Sequence, residues 1–154
     1  MPIRIAWGTA AGKSELGAFD AALAEAGLHN YNLVGFSSVV PPETSIQEVG
    51  TADPGWPVGE RVGVVLARNV GRGRVVAGLG WTLAEEGGVL IEGYAGDPAE
   101  CRREVETGLR EARDLRDWAW TDAEETRIAA DEFEGIGAAV VVAVYGPIAS
   151  GSSP

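Results

Sequence analysis

Three strand patterns that follow one another between residues 61 and 94 constrain the fold of this chain more than any other feature. Residues 61–67, 74–83 and 89–94 are rich in apolar and β-branched side chains, and short glycine-containing segments separate them. Strands spaced in this way are candidates for consecutive hairpins. Together with two helix patterns they favour an α+β layered fold over a doubly wound parallel sheet.

Two helices are predicted on either side of these strands. The first covers residues 16–26, where apolar side chains recur at helical spacing, and it ends at Gly27. The second begins at Asp97-Pro98-Ala99-Glu100, with Asp97 capping the first turn and Pro98 in the first helical position. The buried face of the second helix is predicted to consist of Cys101, Val105, Leu109 and Ala112.

Further strands are predicted over residues 3–7, 31–40 and 135–145, with a long irregular loop over residues 43–60 and no element assigned to residues 118–128. Residues 8–14 are predicted as a small-residue turn. They resemble a phosphate-binding loop but have three residues between the glycines instead of four, which argues against nucleotide hydrolysis. Gly71 and Gly73, separated by one residue, are predicted to form a hairpin turn.

Length and composition exclude several classes of protein. The 154 residues fit a single domain, taken as residues 1–154, and the net charge of −11 argues against a nucleic-acid partner. One cysteine excludes an internal disulfide, and with one histidine it excludes the usual zinc clusters, so no metal is expected. No apolar run approaches the about 20 residues of a membrane helix, and no secretory signal opens the chain. We therefore expect a cytoplasmic protein without a membrane partner.

The most informative segment is residues 32–43, which read Asn-Leu-Val-Gly-Phe-Ser-Ser-Val-Val-Pro-Pro-Glu. On composition alone, Ser37 and Ser38 are polar residues at the end of a strand that the double proline terminates. The segment resembles the self-processing segment of the pyruvoyl-dependent arginine decarboxylases. The resemblance extends upstream through residues 16–27 and downstream through residues 88–94, and so covers most of the chain.

This resemblance implies that the chain cleaves itself between Ser37 and Ser38. The hydroxyl of Ser38 would attack the carbonyl of Ser37 to give an ester, and β-elimination and hydrolysis would leave a pyruvoyl group at position 38. The products would be a small β chain, residues 1–37, and a large α chain, residues 38–154. The attack requires stabilisation of an oxyanion and a strained peptide. Asn32 resembles the asparagine that assists processing in the family.

The resemblance also implies roles for four other residues. Glu92 resembles the glutamate that reprotonates the substrate carbon, and its apolar strand favours the neutral, proton-donating carboxyl. Asp20 resembles the aspartate that binds the substrate, and its carboxylate suits a guanidinium. Leu23 and Ser37 would contact the substrate as well. From the residues alone, Asp20 is equally compatible with a solvated helix face, and Leu23 with the core. For Glu92 a strand position that points to solvent is the less favoured alternative.

The family further implies a layered αββα sandwich of the pyruvoyl-dependent histidine/arginine decarboxylase type. The implied reaction is conversion of L-arginine to agmatine and carbon dioxide, a carbon–carbon lyase activity that precedes polyamine synthesis. The implied assembly is a homotrimer of cleaved protomers with active sites between subunits. Two alternatives remain open at this stage. One is the same chemistry on another amino acid, and the other is an unprocessed homologue that binds a ligand or serves a structural role.

Overall fold

The computed structural model of the chain describes residues 2–94 and 96–149. Within these residues the backbone forms a mixed α+β fold with one large sheet and two helices. In chain order the elements are β1 (Ile3–Gly12), α1 (Glu15–Glu25), β2 (Asn32–Gly35), β3 (Val39–Val40), β4 (Ile46–Gly50), β5 (Arg61–Ala84), β6 (Gly87–Gly93), α2 (Pro98–Asp114) and β7 (Trp120–Pro147).

The sheet is organised around the long antiparallel pair of β5 and β7. Its strand order is β3-β6-β5-β7-β1-β4, and β2 adds to β5 as a parallel strand. The register of β5 against β7 shifts between Arg72 and Arg74, where Gly73 takes a φ of +79°. Such a bulge bends a strand without ending it. It divides the sheet into a first half, before Gly73, and a second half, after it.

Three apolar clusters show how the two halves are layered. The inner core contains Val65 and Ala67 from the first half of β5 together with Val75 and Ala77 from the second. Because side chains alternate along a strand, the other faces of the two halves point outward. The first half packs its outer face against α1, and β6 in the second half packs against α2. This arrangement is consistent with the predicted αββα sandwich.

The two helices confirm the expectations from local pattern. In α1, Ser14 caps the first turn by accepting a hydrogen bond from the Gly17 amide at 3.0 Å. In α2, the Asp97 carboxylate accepts from the Glu100 amide at 2.8 Å, and Pro98 is the first helical residue. The buried residues of α2 are those predicted, namely Cys101, Val105, Leu109 and Ala112.

Several strand boundaries were predicted wrongly. The turn predicted at residues 8–14 is instead mostly strand, because β1 continues to Gly12 and pairs with β7 as far as Ile136. The irregular loop predicted over residues 43–60 contains β4, which pairs in parallel with β1. The hairpin turn predicted at Gly71 and Gly73 is the bulge within β5. In each case a distant strand supplies the pairing that glycine-rich local sequence does not reveal.

Two kinds of feature are absent from the residues that the structure describes. None of the described helices has the length and apolarity needed to cross a membrane. The described side chains also include no group of three or more His, Cys, Asp or Glu placed to hold a metal ion.

Candidate active site

Ser37 and Ser38 lie where the chain crosses from one half of the sheet to the other. Before them, β2 runs parallel to residues 61–64 in the first half. After them, β3 pairs antiparallel with β6 in the second half. The single strand predicted over residues 31–40 is therefore wrong, because it is broken at residues 36–38 by this change of partner. The serines form a bend between two strands instead of the end of one.

The backbone at Ser38 is strained. Its φ of +66° lies in the left-handed region, which costs a residue with a Cβ atom about 1–2 kcal/mol. The Ser38 carbonyl accepts a hydrogen bond of 2.9 Å from the Leu90 amide, which anchors the bend to β6. Ser37 is exposed, and within the described residues its carbonyl accepts no hydrogen bond. The Ser37–Ser38 peptide thus combines a strained backbone at Ser38 with a Ser37 carbonyl that is exposed and accepts no hydrogen bond from the described residues.

This strain predicts an unusual order of stability for two variants that both lack the Ser38 hydroxyl. Ser38→Gly is expected to be more stable than Ser38→Ala by roughly 0.5–1 kcal/mol. The left-handed penalty on alanine, about 1–2 kcal/mol, exceeds the entropy cost of glycine, about 0.5–1 kcal/mol. Urea unfolding of the two intact chains measures the difference. At Ser37, whose φ is not positive, the alanine variant should be the more stable. If the alanine variant were at least as stable as the glycine variant at both positions, the strain at Ser38 would be contradicted.

Glu92 lies on β6, close to the serines. It is two residues beyond Leu90, a spacing of about 7 Å along a strand, and alternation places both side chains on the same face. The Glu92 side chain is half-buried, and its Oε2 accepts a hydrogen bond of 2.5 Å from the Tyr94 hydroxyl. Glu92 is therefore not the fully solvated strand residue that the sequence alone also allowed. The Glu92 carboxyl is thus held by Tyr94, two residues along β6 from the residue whose amide anchors the bend.

Tyr94 was not singled out from the sequence, although it lies within the matching segment 88–94. Its backbone amide donates to Glu104 Oε1 on α2 at 3.0 Å, which fixes the strand end that carries Glu92. Burial, followed by the hydrogen bond to Glu92, raises the pKa of Tyr94 to about 12. The phenol therefore stays protonated and remains a donor to Glu92 at neutral pH.

A cavity of about 390 Å³ opens beside the bend. Ser37 and Ser38 form part of its wall, and β6, α2 and the two residues that follow α2 form the rest. Most of the lining is apolar, with two charged side chains, Glu111 and Arg116. A mostly apolar cavity with few polar groups is typical of a small-molecule site.

Three other predicted site residues lie away from the bend within one chain. Asp20 is exposed on α1, which packs on the outer face of the first half of the sheet. Leu23 is 8% exposed and packs in that same cluster, so little of its side chain is free to line a pocket. The Asn32 side-chain amide donates to the Gly59 carbonyl at 2.9 Å and not to the Ser37 carbonyl. One protomer therefore places Glu92 two residues along β6 from Leu90, which anchors Ser38, but on the face of β6 opposite the cavity. It leaves Asp20, Leu23 and Asn32 farther from the serines.

The chain is similar to known proteins over nearly its whole length. The model of the pyruvoyl-dependent arginine decarboxylase family matches residues 2–150. A pyruvoyl-dependent arginine decarboxylase of Halobacterium salinarum is 39% identical over 150 residues, which span 94% of this chain and 93% of that protein. Proteins of the same name from Methanopyrus kandleri and Methanothermobacter thermautotrophicus are 33% and 30% identical, covering 89% and 94% of this chain and 90% and 96% of their own lengths. The residues matched by the family model include Ser37, Ser38 and both helices.

Proposed function

The chain belongs to the pyruvoyl-dependent arginine decarboxylase family, and on this basis we propose that it converts L-arginine to agmatine and carbon dioxide. The pyruvoyl cofactor is covalent and is made from Ser38. The observation that carries this proposal is the Ser37–Ser38 bend. Ser38 has a left-handed φ, and the Ser37 carbonyl accepts no hydrogen bond from the described residues. Leu90, which anchors the bend, lies two residues along β6 from Glu92, whose carboxyl Tyr94 holds. The chain is accordingly a carbon–carbon lyase.

Self-cleavage uses groups that the chain itself carries at the bend. The Ser38 Oγ attacks the Ser37 carbonyl carbon, the C–N bond breaks, and the Ser38 nitrogen takes the proton, which leaves an ester. Loss of the Ser38 Cα proton then breaks the Cβ–Oγ bond and releases residues 1–37 with a free carboxylate. Water replaces the remaining nitrogen, which leaves as ammonia, and residues 38–154 begin with the pyruvoyl group. The left-handed φ supports this route, because cleavage releases the strain.

The residues around Ser38 suit the group that would form there. The serine supplies its three carbons, and Ser38 lines one wall of a cavity of about 390 Å³. The pyruvoyl carbonyl supplies an electron sink for the decarboxylation. Glu92 then acts as the general acid that returns a proton to Cα. Tyr94 donates to Glu92 Oε2, which leaves Oε1 as the carboxyl oxygen that can pass a proton to the substrate.

A neighbouring protomer completes the site in this proposal. Asp20 and Asn32 lie away from the serines of their own chain. Around the bend, Val34, Phe36 and Val39 are 38%, 40% and 49% exposed, which is unusual for a group of apolar side chains and favours contact with another subunit. We propose a homotrimer of cleaved protomers in which Asp20 of one chain and Ser38 of another face the same substrate. Asn32 would reach the Ser37 carbonyl across the same interface.

An intact-mass spectrum of freshly purified protein under denaturing conditions tests this function. Two fragments that divide after Ser37, the larger blocked by a pyruvoyl group, together with carbon dioxide release from arginine, are the expected result. Release from lysine or histidine in preference to arginine would redirect the proposal to another substrate. A single chain in both low and high salt would overturn it and favour an unprocessed homologue.

Asp20→Asn is expected to raise the KM for arginine about 10- to 100-fold, since a hydrogen bond between charged groups is lost from the guanidinium. The variant should also lose its preference for arginine over citrulline, the uncharged analogue. Steady-state assays with both amino acids measure this change. Glu25→Gln, an exposed acid at the end of the same helix, is the matched control and should behave as the wild type. An unchanged ratio of arginine to citrulline activity in Asp20→Asn would exclude Asp20 from guanidinium binding.

A further inference from the structure

The bend that carries Ser37 and Ser38 is held at both ends by contacts outside the serines. On the amino side, the Phe36 amide donates to the Val64 carbonyl on β5 at 2.8 Å. On the carboxyl side, the Ser38 carbonyl accepts from the Leu90 amide on β6 at 2.9 Å. Because Val64 and Leu90 belong to different halves of the sheet, the geometry of the bend depends on how the two halves are held relative to each other.

Tyr145 contacts the chain on both sides of the serines. It lies near the end of β7 in the first half of the sheet, and its hydroxyl donates to the Val39 carbonyl at 2.7 Å. Its ring meets the Phe36 ring edge to face, with centroids 5.0 Å apart and planes at 74°. One side chain therefore links the residue before Ser37 to the residue after Ser38. Since Val39 belongs to β3, the same side chain also bridges the two halves of the sheet.

The position of the Phe36 ring depends on Gly63, which has no side chain. The Phe36 ring lies over Gly63 on β5, where a Cβ atom would come within 2.1 Å of the ring. Phe36 is thus seated between a glycine of β5 and the ring of Tyr145. The placement is specific, because any larger residue at position 63 would displace the ring.

We propose that Tyr145 is a positioning residue for self-cleavage, which holds residues 36–39 so that the Ser38 hydroxyl faces the Ser37 carbonyl. This inference rests on the proposed self-cleavage and goes beyond it. It assigns the alignment of the scissile peptide to a residue 107 positions away that takes no part in bond making. The left-handed conformation of Ser38 persists only where the surroundings impose it. Tyr145 holds Phe36 and Val39 on either side of the serines, and Leu90 holds the Ser38 carbonyl.

Alignment of this kind has a direct effect on rate. An intramolecular attack is fast when the reacting atoms are held close together in line, and small displacements slow it strongly. Loss of the Tyr145 hydroxyl would free the Val39 carbonyl and let the bend relax toward an unstrained φ. Burial raises the pKa of Tyr145 to about 12, so the hydroxyl stays protonated and remains a donor at neutral pH.

Tyr145→Phe is the direct test, because it removes the hydroxyl and keeps the ring against Phe36. Self-cleavage is followed in a cell-free translation by pulse labelling and by the loss of intact chain with time. We expect cleavage about tenfold slower than in the wild type, from the loss of one hydrogen bond in the aligned state. Tyr31→Phe is the matched control, since the Tyr31 ring packs edge to face on Trp56 in the outer cluster of α1. This control should cleave at the wild-type rate.

Hydroxylamine, which cleaves esters and leaves this chain's peptide bonds intact, separates alignment from later steps. If Tyr145 aligns the attack, the ester forms slowly in Tyr145→Phe and hydroxylamine does not restore the rate. Wild-type cleavage by Tyr145→Phe, or a rate restored by hydroxylamine, would overturn the inference. Should Tyr145→Phe fail to fold by circular dichroism, Phe36→Leu tests the same bridge with the hydroxyl left in place and the same outcomes apply. A wild-type chain that stays intact would instead overturn the proposed function, and this inference with it.

Discussion

Replacing Ser38 by alanine is expected to leave one uncleaved chain of 154 residues and to abolish decarboxylation of arginine. In the proposed self-cleavage, Ser38 supplies both the hydroxyl that attacks and the three carbons that become the pyruvoyl group. Neither role passes to alanine. Because the cofactor is covalent, adding free pyruvate should not restore activity. A denaturing mass spectrum and a carbon dioxide assay measure the two losses on the same sample.

The neighbouring serine provides the control for this loss. Ser37→Ala keeps the hydroxyl at position 38, the left-handed backbone of Ser38 and the hydrogen bond from Leu90. It is therefore expected to cleave, with its effect confined to substrate binding. If Ser38→Ala still yielded two chains, or if Ser37→Ala alone prevented cleavage, the nucleophile would have been assigned to the wrong serine.

Replacing Glu92 by glutamine is expected to lower kcat by about 10²- to 10⁴-fold, the usual contribution of a general acid. Glutamine is nearly the same size as glutamate and still accepts a hydrogen bond from Tyr94, so the local structure should be retained. It has no carboxyl proton to return to Cα. Self-cleavage and the KM for arginine should change much less than kcat, which steady-state kinetics on the cleaved enzyme will show.

Two further variants make the Glu92 result specific. Glu134→Gln alters an exposed acid of β7 and should leave kcat unchanged. Tyr94→Phe removes the donor to Glu92 Oε2 but keeps the acid, and we expect a smaller loss of kcat than in Glu92→Gln. If Glu92→Gln decarboxylates arginine at the wild-type rate after normal cleavage, the proton comes from another group.

The features that were predictable from the sequence depend on short-range interactions. The start of α2 at Pro98 and its buried face follow from a capping residue and a 3.6-residue period, both of which lie within a few residues. The preference for an α+β fold follows from the number and spacing of strands. The serine segment led to the family, which the comparisons then confirmed.

The boundaries of the strands were predicted less well, since they depend on partners far along the chain. Gly71 and Gly73 have the local character of a turn, but β7 pairs with β5 on both sides of them and the strand continues. Residues 8–12 consist of small residues typical of a loop, but β7 pairs with them as well. A strand gains its hydrogen bonds from its neighbour, so its own residues do not reveal where it ends.

The sequence by itself therefore determined the helices, the fold class and the family, because capping, periodicity and the serine motif are local signals. The tertiary structure alone decided that Ser37 and Ser38 lie in a bend between two halves of the sheet, with Ser38 in the left-handed region. It also placed Tyr145 against both sides of that bend. The physical reason is that β2 and β3 take different partner strands, and only the packing of the two halves brings residue 145 to residues 36–39.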